Sequence, residues 1–229
     1  NAPAASSLRT GRMTMDDVVA RSAMLFGTSA LVGAAAWYFN LGGGLLLLGF
    51  IGGLVTAMIG IFSKTIRPGV YLAYATCQGL VLGIISKTYE LFYPGIVQQA
   101  IVATAAAFIG MLTLYKSGRL RVTPKFTRML LGAAIGYLVL ALGSLIGSFF
   151  GLGGGAGLYG LSGFGPLLAV AGVAIASFFL ILDFDQIEEG VRAGVPQEES
   201  WRAGFGLLMT MVWLYLEVLR LISILRGND

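Results

Sequence analysis

The sequence predicts an all-α membrane protein, a bundle of seven transmembrane helices. Its 229 residues are 57% hydrophobic and only 11% charged, against about 25% charged residues in an ordinary soluble domain. Seven apolar runs have roughly the 20 residues that a helix needs to cross the hydrocarbon of a bilayer. The charges are gathered into short stretches between these runs, so they cannot form the charged shell that a soluble core requires.

The predicted spans follow one another along almost the whole chain. They cover residues 22–39, 44–62, 69–86, 93–115, 129–150, 165–182 and 203–225. Residues 1–21 are then a cytoplasmic N-terminal segment, and residues 22–229 form a single seven-helix transmembrane domain. The stretch before the first span is interpreted as a short amphipathic lead-in, with Thr14 as its N-cap and Asp16 and Asp17 in the first turn.

The distribution of basic residues predicts the orientation, because cytoplasmic loops retain Lys and Arg. The N-terminal tail and the second, fourth and sixth loops hold twelve of the 15 basic residues, and the opposite side holds three. This asymmetry predicts a cytoplasmic N-terminus, and the odd number of spans predicts a C-terminus outside. Because the basic residues lie between apolar runs rather than on a polar face with interleaved aromatics, nucleic-acid binding is not expected.

Glycine is abundant, with 34 residues, and much of it lies inside the predicted spans. In the fifth span, Gly132, Gly136, Gly143 and Gly147 follow small-residue spacings that let helices approach closely, so we expect tight packing there. The fifth loop, residues 151–166, is uncharged and glycine-rich. It is interpreted as a flexible outer loop, with a re-entrant segment shielded by protein as the alternative.

The residue types that the sequence lacks exclude most hydrolase and redox mechanisms. There is no histidine, and the single cysteine, Cys77, lies in an apolar run without a partner base. Residues 160–163 match the GxSG of rhomboid proteases, but the histidine that activates their serine is missing, so the match is attributed to chance. The sequence shows no Walker loop, dinucleotide fingerprint or Cys/His metal set. We therefore expect neither enzymatic activity nor a bound cofactor.

The remaining candidates for a functional site are acidic. Asp183 and Asp185 close the sixth span, Glu188 and Glu189 follow, and Glu217 lies inside the seventh span. Residues two apart on a helix point roughly 200° from each other, so Asp183 and Asp185 cannot both face the interior. Glu188 and Glu189 are interpreted as a hydrated acidic helix end.

Two interpretations of Glu217 stay open. A carboxylate within hydrocarbon is costly, so it usually faces the bundle interior, a partner or a water-filled path. Glu217 can form an ion pair with Arg220 one turn later and serve only to anchor the helix end. Alternatively, it can form a cation or proton site facing Asp183, with Arg220 extended outward.

Two motifs resemble those of a known family. The run SFFLILDFDQI, residues 177–187, and the run LYLEVLRLISIL, residues 214–225, resemble the two acidic motifs of the Bax inhibitor-1 family, also called the transmembrane Bax inhibitor motif family. The seven-span layout agrees over nearly the whole chain, and the MTMDDV start is similar to the bacterial branch. The resemblance implies a multi-pass protein of the bacterial cell (inner) membrane. Gln78 departs from the pattern, because the third span of family members often carries a glutamate there.

The resemblance implies a pair of carboxyl groups that senses pH and gates a calcium leak. An ungapped match of the motifs puts this pair on Asp183 and Glu217, with Asp185 as an auxiliary group, although aspartate is usual where Glu217 stands. The resemblance further implies a basic latch at the cytoplasmic end of the second helix. Lys64 is the nearest match for the latch, and Arg67 is the next.

We therefore expect a pH-sensitive leak pathway for Ca²⁺ or another cation, in which Asp183 and Glu217 share a proton or, once ionised, bind the cation. The resemblance also implies an alternative, a non-transporting regulator that binds other membrane proteins, such as a membrane-bound ATP-dependent protease or, in eukaryotic relatives, apoptosis regulators. An intramembrane aspartyl protease is disfavoured, because its second motif is GxGD whereas WLYLEV surrounds Glu217. A proton-coupled transporter is disfavoured because no internal inverted repeat is evident.

One estimate from helix geometry opposes direct contact within the proposed pair. At 1.5 Å per residue, Glu217 lies about 25 Å along a seventh helix that begins near Ser200. Asp183 lies about 16 Å from a sixth-helix end at Gly194. A tilt of the helices or a break in the sixth helix would be needed for the two carboxyl groups to meet.

Overall fold

The computed structural model describes residues 11–119, 122–151, 157–160 and 164–227. Within these ranges the chain forms seven α-helices and a short 3₁₀ helix, Gly157–Gly160. In chain order the α-helices are α1 (Met15–Tyr38), α2 (Gly43–Phe62), α3 (Pro68–Phe92), α4 (Ile96–Lys116), α5 (Pro124–Phe149), α6 (Phe164–Ala193) and α7 (Glu199–Gly227). All seven are long and apolar enough to cross a membrane, which confirms the predicted fold class. The orientation of the termini stays a prediction.

The polar lead-in before the first span is part of helix α1. The helix begins at Met15, seven residues before the predicted span at residue 22. The backbone N–H of Asp17 donates to Thr14 Oγ1 at 3.2 Å, and the backbone N–H of Thr14 donates to Asp17 Oδ2 at 3.0 Å. This reciprocal capping box satisfies two N–H groups at the start of the helix and confirms Thr14 as the N-cap.

Helix α6 extends beyond the apolar run that predicted it. It continues from Leu182, where the predicted span stops, to Ala193. Gly194 follows with a φ of +67°, a left-handed conformation that glycine adopts without strain, and the backbone N–H of Val195 donates to the Gly190 carbonyl at 3.2 Å. Asp183 therefore lies at the end of the apolar run but within the helix, which ends one residue before the predicted end at Gly194.

The helices differ in how much of their apolar surface is buried. The most apolar windows of α3, α6 and α7 are 44%, 44% and 50% buried, whereas those of the other four helices are at most 22% buried. Helices with mostly exposed apolar windows have the surface expected for contact with lipid. The two helices that carry the acidic motifs, α6 and α7, are thus among the more buried ones.

The chain divides into two compact units. The first comprises Asn1–Leu91 and Asp183–Val212, and the second comprises Phe92–Leu182 and Trp213–Asp229. Asp183 belongs to the first unit and Glu217 to the second. The predicted single domain stays a prediction.

In the first unit, α1 and α3 approach each other closely at glycines. A Cβ added at Gly79 would lie 3.0 Å from the Cα of Ser29, and one added at Gly83 would lie 2.8 Å from the Cβ of Ala36. On the facing helix, a Cβ at Gly33 would lie 3.2 Å from the Gly79 carbonyl oxygen. These three glycines therefore let the two helix backbones come together.

The tight packing predicted for the glycines of the fifth span is wrong at three of the four positions. A Cβ added at Gly132, Gly136 or Gly143 of α5 would have no atom within 4 Å. A small-residue spacing shows that a helix can be approached closely, but it does not show which of its faces meets another helix. In this protein the close approach occurs between α1 and α3 instead.

Residues 11–14 lie across the connection between α6 and α7 and are called the N-terminal strap. Arg12 and Pro196 form an antiparallel β-bridge. The backbone N–H of Met13 donates to the Val195 carbonyl at 2.8 Å, and the backbone N–H of Gln197 donates to the Gly11 carbonyl at 3.0 Å. These backbone bonds fix the strap in the first unit.

Part of the fifth loop packs against α5 in the second unit. The backbone N–H of Leu158 donates to Ser144 Oγ at 2.9 Å, and Gly157 has a φ of +63° beside the Ser144 backbone. The 3₁₀ helix Gly157–Gly160 is therefore anchored to the bundle. Residues 152–156 and 161–163, which include Ser162 of the GxSG match, lie outside the described residues.

Candidate ion-binding carboxyl groups

Asp183 lines a cavity in the first unit. The cavity has a volume of about 300 Å³. Its polar lining comes from Asp183, Gln186, Glu199 and Arg202, and Met13 of the N-terminal strap contributes to the apolar part. Asp183 of α6 and the first turn of α7, which carries Glu199 and Arg202, therefore border the same cavity.

The Asp183 carboxyl group is only partly satisfied by its surroundings. The side chain of Thr210 on α7 lies close enough to interact with it. Its Oδ2 atom, however, is buried without a hydrogen-bond partner among the described residues. Buried polar atoms are usually paired, because an unpaired one loses its hydration without compensation. An unsatisfied carboxylate oxygen is therefore a position where a proton or a cation would be stabilised.

Arg202, which sequence reasoning counted only as a loop charge, is one of the residues that line this cavity. Its Nη1 lies 3.0 Å from Glu199 Oε2, and its Nη2 donates to the Ser63 carbonyl at 3.0 Å. The proposed latch residues Lys64 and Arg67 follow Ser63 in the connection between α2 and α3 and are exposed. Arg202 is thus held against the end of the second helix, where the resemblance had implied a basic residue, and the latch role of Lys64 or Arg67 stays a prediction.

The other acids of the sixth helix have more solvated surroundings. Asp185 is partly buried and is not among the residues that line the cavity, in line with the different directions expected for residues two apart. Glu188 Oε1 lies 2.7 Å from Arg192 Nη2 on an exposed surface, and Glu189 is exposed. Such exposed pairs contribute little to stability.

Glu217 is buried in the second unit, with 4% of its surface exposed. Arg220 Nη1 lies 3.0 Å from Oε1 and 3.1 Å from Oε2, so the ion pair that the sequence suggested is present. Trp213 Nε1 donates to Oε1 at 3.2 Å, and the Tyr137 hydroxyl donates to Oε2 at 2.7 Å. Each carboxylate oxygen therefore accepts one hydrogen bond from the charged Arg220 guanidinium and one from a neutral donor, Trp213 or Tyr137.

The network around Glu217 continues to the 3₁₀ helix of the fifth loop. The hydroxyl groups of Tyr159 and Tyr137 lie 2.7 Å apart, and since Tyr137 donates to Glu217, Tyr159 donates to Tyr137. The guanidinium carbon of Arg220 lies 4.5 Å from the centre of the Tyr159 ring, within cation–π range. Gly172 of α6 leaves room for this group, because a Cβ there would lie 2.6 Å from Glu217 Oε2.

Sequence reasoning missed three members of this network. Trp213 lies one helical turn before Glu217, so helix periodicity was a signal that could have identified it. Tyr137 and Tyr159 are 80 and 58 positions from Glu217, and no local pattern connects them to it. Their contribution follows from packing alone.

The family of the chain follows from a comparison with family models. The model for Bax inhibitor 1 like proteins matches residues 1–227, which include all seven α-helices and both acidic motifs. The chain belongs to the Bax inhibitor 1 like family. A comparison with curated proteins gave no match.

For this Bax inhibitor 1 like protein, the two motif acids occupy different settings. Among the described residues, one carboxylate oxygen of Asp183 has no hydrogen-bond partner, whereas both carboxylate oxygens of Glu217 are paired. Because the two residues belong to different compact units, their pairing stays a prediction. Within the described ranges, no three Asp, Glu or Cys side chains come together as a metal site.

Proposed function

We propose that this membrane protein provides a pH-sensitive leak pathway for Ca²⁺ or another cation, and that Asp183 is the group at which cations and protons compete. The observation that carries the proposal is the buried Oδ2 of Asp183, which has no hydrogen-bond partner within the described part of the chain and lies beside a cavity of about 300 Å³. Ca²⁺ prefers oxygen ligands of this kind. A carboxylate that holds a proton cannot hold a cation at the same oxygen, so the occupancy of the site depends on pH.

In this proposal the family resemblance supplies the second carboxyl group, Glu217, and the auxiliary acid, Asp185. The lipid bilayer surrounds the protein. Ca²⁺ or H⁺ is the transported ion and not a resident cofactor. The proposal assigns no enzymatic activity. The proposal also locates the protein in the bacterial cell (inner) membrane, because its MTMDDV start resembles the bacterial branch of the family.

The test is calcium flux into proteoliposomes that contain the purified protein, measured across the neutral pH range. Asp183→Asn keeps the size of the side chain but removes its charge, so both the flux and its dependence on pH should be lost. Glu189→Gln is the matched control, because Glu189 lies on the same helix and is exposed. This control should conduct like the parent.

The outcomes separate the proposed function from its alternative. Flux that responds to pH in the parent and in Glu189→Gln, but not in Asp183→Asn, supports the leak pathway. Parent protein with no flux above empty liposomes would overturn it. Such a result would favour a non-transporting regulator that binds other membrane proteins, for which co-purification with a membrane-bound ATP-dependent protease is the next measurement.

A further inference from the structure

The Glu217 carboxylate already has a full set of hydrogen-bond donors. A carboxylate offers about four acceptor positions on its two oxygens. Trp213 Nε1 and Arg220 Nη1 contact Oε1 at 3.2 and 3.0 Å, and the Tyr137 hydroxyl and Arg220 Nη1 contact Oε2 at 2.7 and 3.1 Å. A metal cation could reach either oxygen only by displacing one of these donors.

The charge of Glu217 is also balanced within its own helix. Arg220 follows it by three residues on α7 and forms the ion pair at 3.0 Å. The Arg220 side chain is 33% exposed, whereas Glu217 is 4% exposed, so the guanidinium is the more accessible partner. A second positive charge approaching Glu217 would therefore meet Arg220 first and would be repelled by it.

Tyr159 connects this pair to the segment between α5 and α6. Its ring lies 4.5 Å from the Arg220 guanidinium carbon, and its hydroxyl bonds to that of Tyr137. The 3₁₀ helix that carries Tyr159 is itself bonded to α5 through Ser144. The position of the guanidinium thus depends on two elements besides its own helix.

We infer that Arg220 is a tethered counter-ion that keeps metal cations from Glu217, and that Tyr159 holds it in place. The inference deepens the proposed leak function by naming the residue that closes the Glu217 site. A metal ion would use Glu217 only after the guanidinium has moved away.

The test uses Tb³⁺, a luminescent ion that takes oxygen ligands as Ca²⁺ does. Trp213 contacts Glu217, so Tb³⁺ bound at this carboxylate would be excited through the indole and would emit. We expect purified Arg220→Gln in detergent to bind Tb³⁺ at least about tenfold more tightly than the parent, because close charge pairs contribute at least that factor. The signal should be lost again in the double variant Arg220→Gln, Glu217→Gln.

Arg226→Gln is the matched control, since Arg226 is a basic residue of the same helix whose Nη1 donates to the Pro94 carbonyl at 2.9 Å on an exposed surface. It should bind Tb³⁺ no more tightly than the parent. Size-exclusion chromatography and thermal unfolding establish that each variant is folded. If Arg220→Gln is not folded, Arg220→Met decides, because methionine removes the charge and keeps an unbranched, adaptable side chain.

Folded Arg220→Gln or Arg220→Met protein without a Glu217-dependent gain in Tb³⁺ luminescence would overturn the inference. Calcium flux into proteoliposomes then separates it from the proposed function. If the parent conducts Ca²⁺ and the Tb³⁺ gain is missing, the inference fails and the leak function stands. If the Tb³⁺ gain is present and neither the parent nor Arg220→Gln conducts, the inference stands and the leak function fails.

Discussion

Replacing Gly79 with alanine is expected to destabilise the protein, because α3 lies against the backbone of α1 at this residue. The added Cβ would lie 3.0 Å from both the Cα and the carbonyl carbon of Ser29, and closer still to the Ser29 carbonyl oxygen. These atoms belong to a helix backbone, so rotation of a side chain cannot relieve the contact. One of the two helices has to move.

Two opposing effects set the size of this destabilisation. Alanine is favoured over glycine inside a helix by about 1 kcal/mol. Overpacking a well-packed region typically costs about 1–3 kcal/mol, and a contact with backbone belongs to the upper part of that range. The expected net loss in the free energy of unfolding is about 2 kcal/mol, which lowers the unfolding midpoint by about 4–8 °C for a chain of this size.

The assay is thermal unfolding of the purified protein in detergent, with Gly136→Ala on α5 as the matched control. A Cβ at Gly136 would have no atom within 4 Å, so only the helix propensity acts there and the midpoint should stay or rise. Equal midpoints for Gly79→Ala and Gly136→Ala would refute the close approach of α1 and α3.

Two further predictions concern the N-terminal strap and are checked in the same unfolding assay. Met13 is 4% exposed and packs in a cluster with Val18 and Ile187, so Met13→Ala should lower the free energy of unfolding by about 2–5 kcal/mol, whereas Met15→Ala, at a residue 47% exposed, should change it little. Thr14→Ala removes the capping box of α1 and should cost about 0.5–2 kcal/mol, and Thr14→Ser should restore most of that loss. An unchanged midpoint in Met13→Ala would contradict a docked strap, and one in Thr14→Ala would contradict the cap.

Interactions within a single helix could be predicted from the sequence. The Thr14 cap and the ion pair of Glu217 with Arg220 each join residues three positions apart, and helix geometry places such residues side by side. The end of α6 could be predicted as well, because Gly194 follows a stretch that contains good helix formers such as Glu188 and Glu189, and the helix ends one residue earlier at Ala193. The length of the apolar run by itself indicated only the span and not the whole helix.

The partners of the candidate acids could not be predicted in the same way. Tyr137 reaches Glu217 across 80 positions, and Arg202 reaches the Ser63 carbonyl across 139. The glycines of α5 show the same limit, because their spacing suggested a close contact that Gly79 and Gly83 of α3 make instead. In each case the missing knowledge was which face of a helix meets which neighbour.

The sequence by itself determined that this chain is a seven-helix membrane protein of the Bax inhibitor 1 like family, because the length of an apolar run is matched to bilayer thickness and the acidic motifs are local. Only the tertiary structure decided that one Asp183 oxygen finds no partner in the part of the chain that the structure describes, while Glu217 is enclosed by Arg220, Trp213 and Tyr137. The physical reason is that lipid and protein interior are almost equally apolar, so hydrophobicity does not show which side of a transmembrane helix faces protein. Packing therefore chooses the partners of a buried charge.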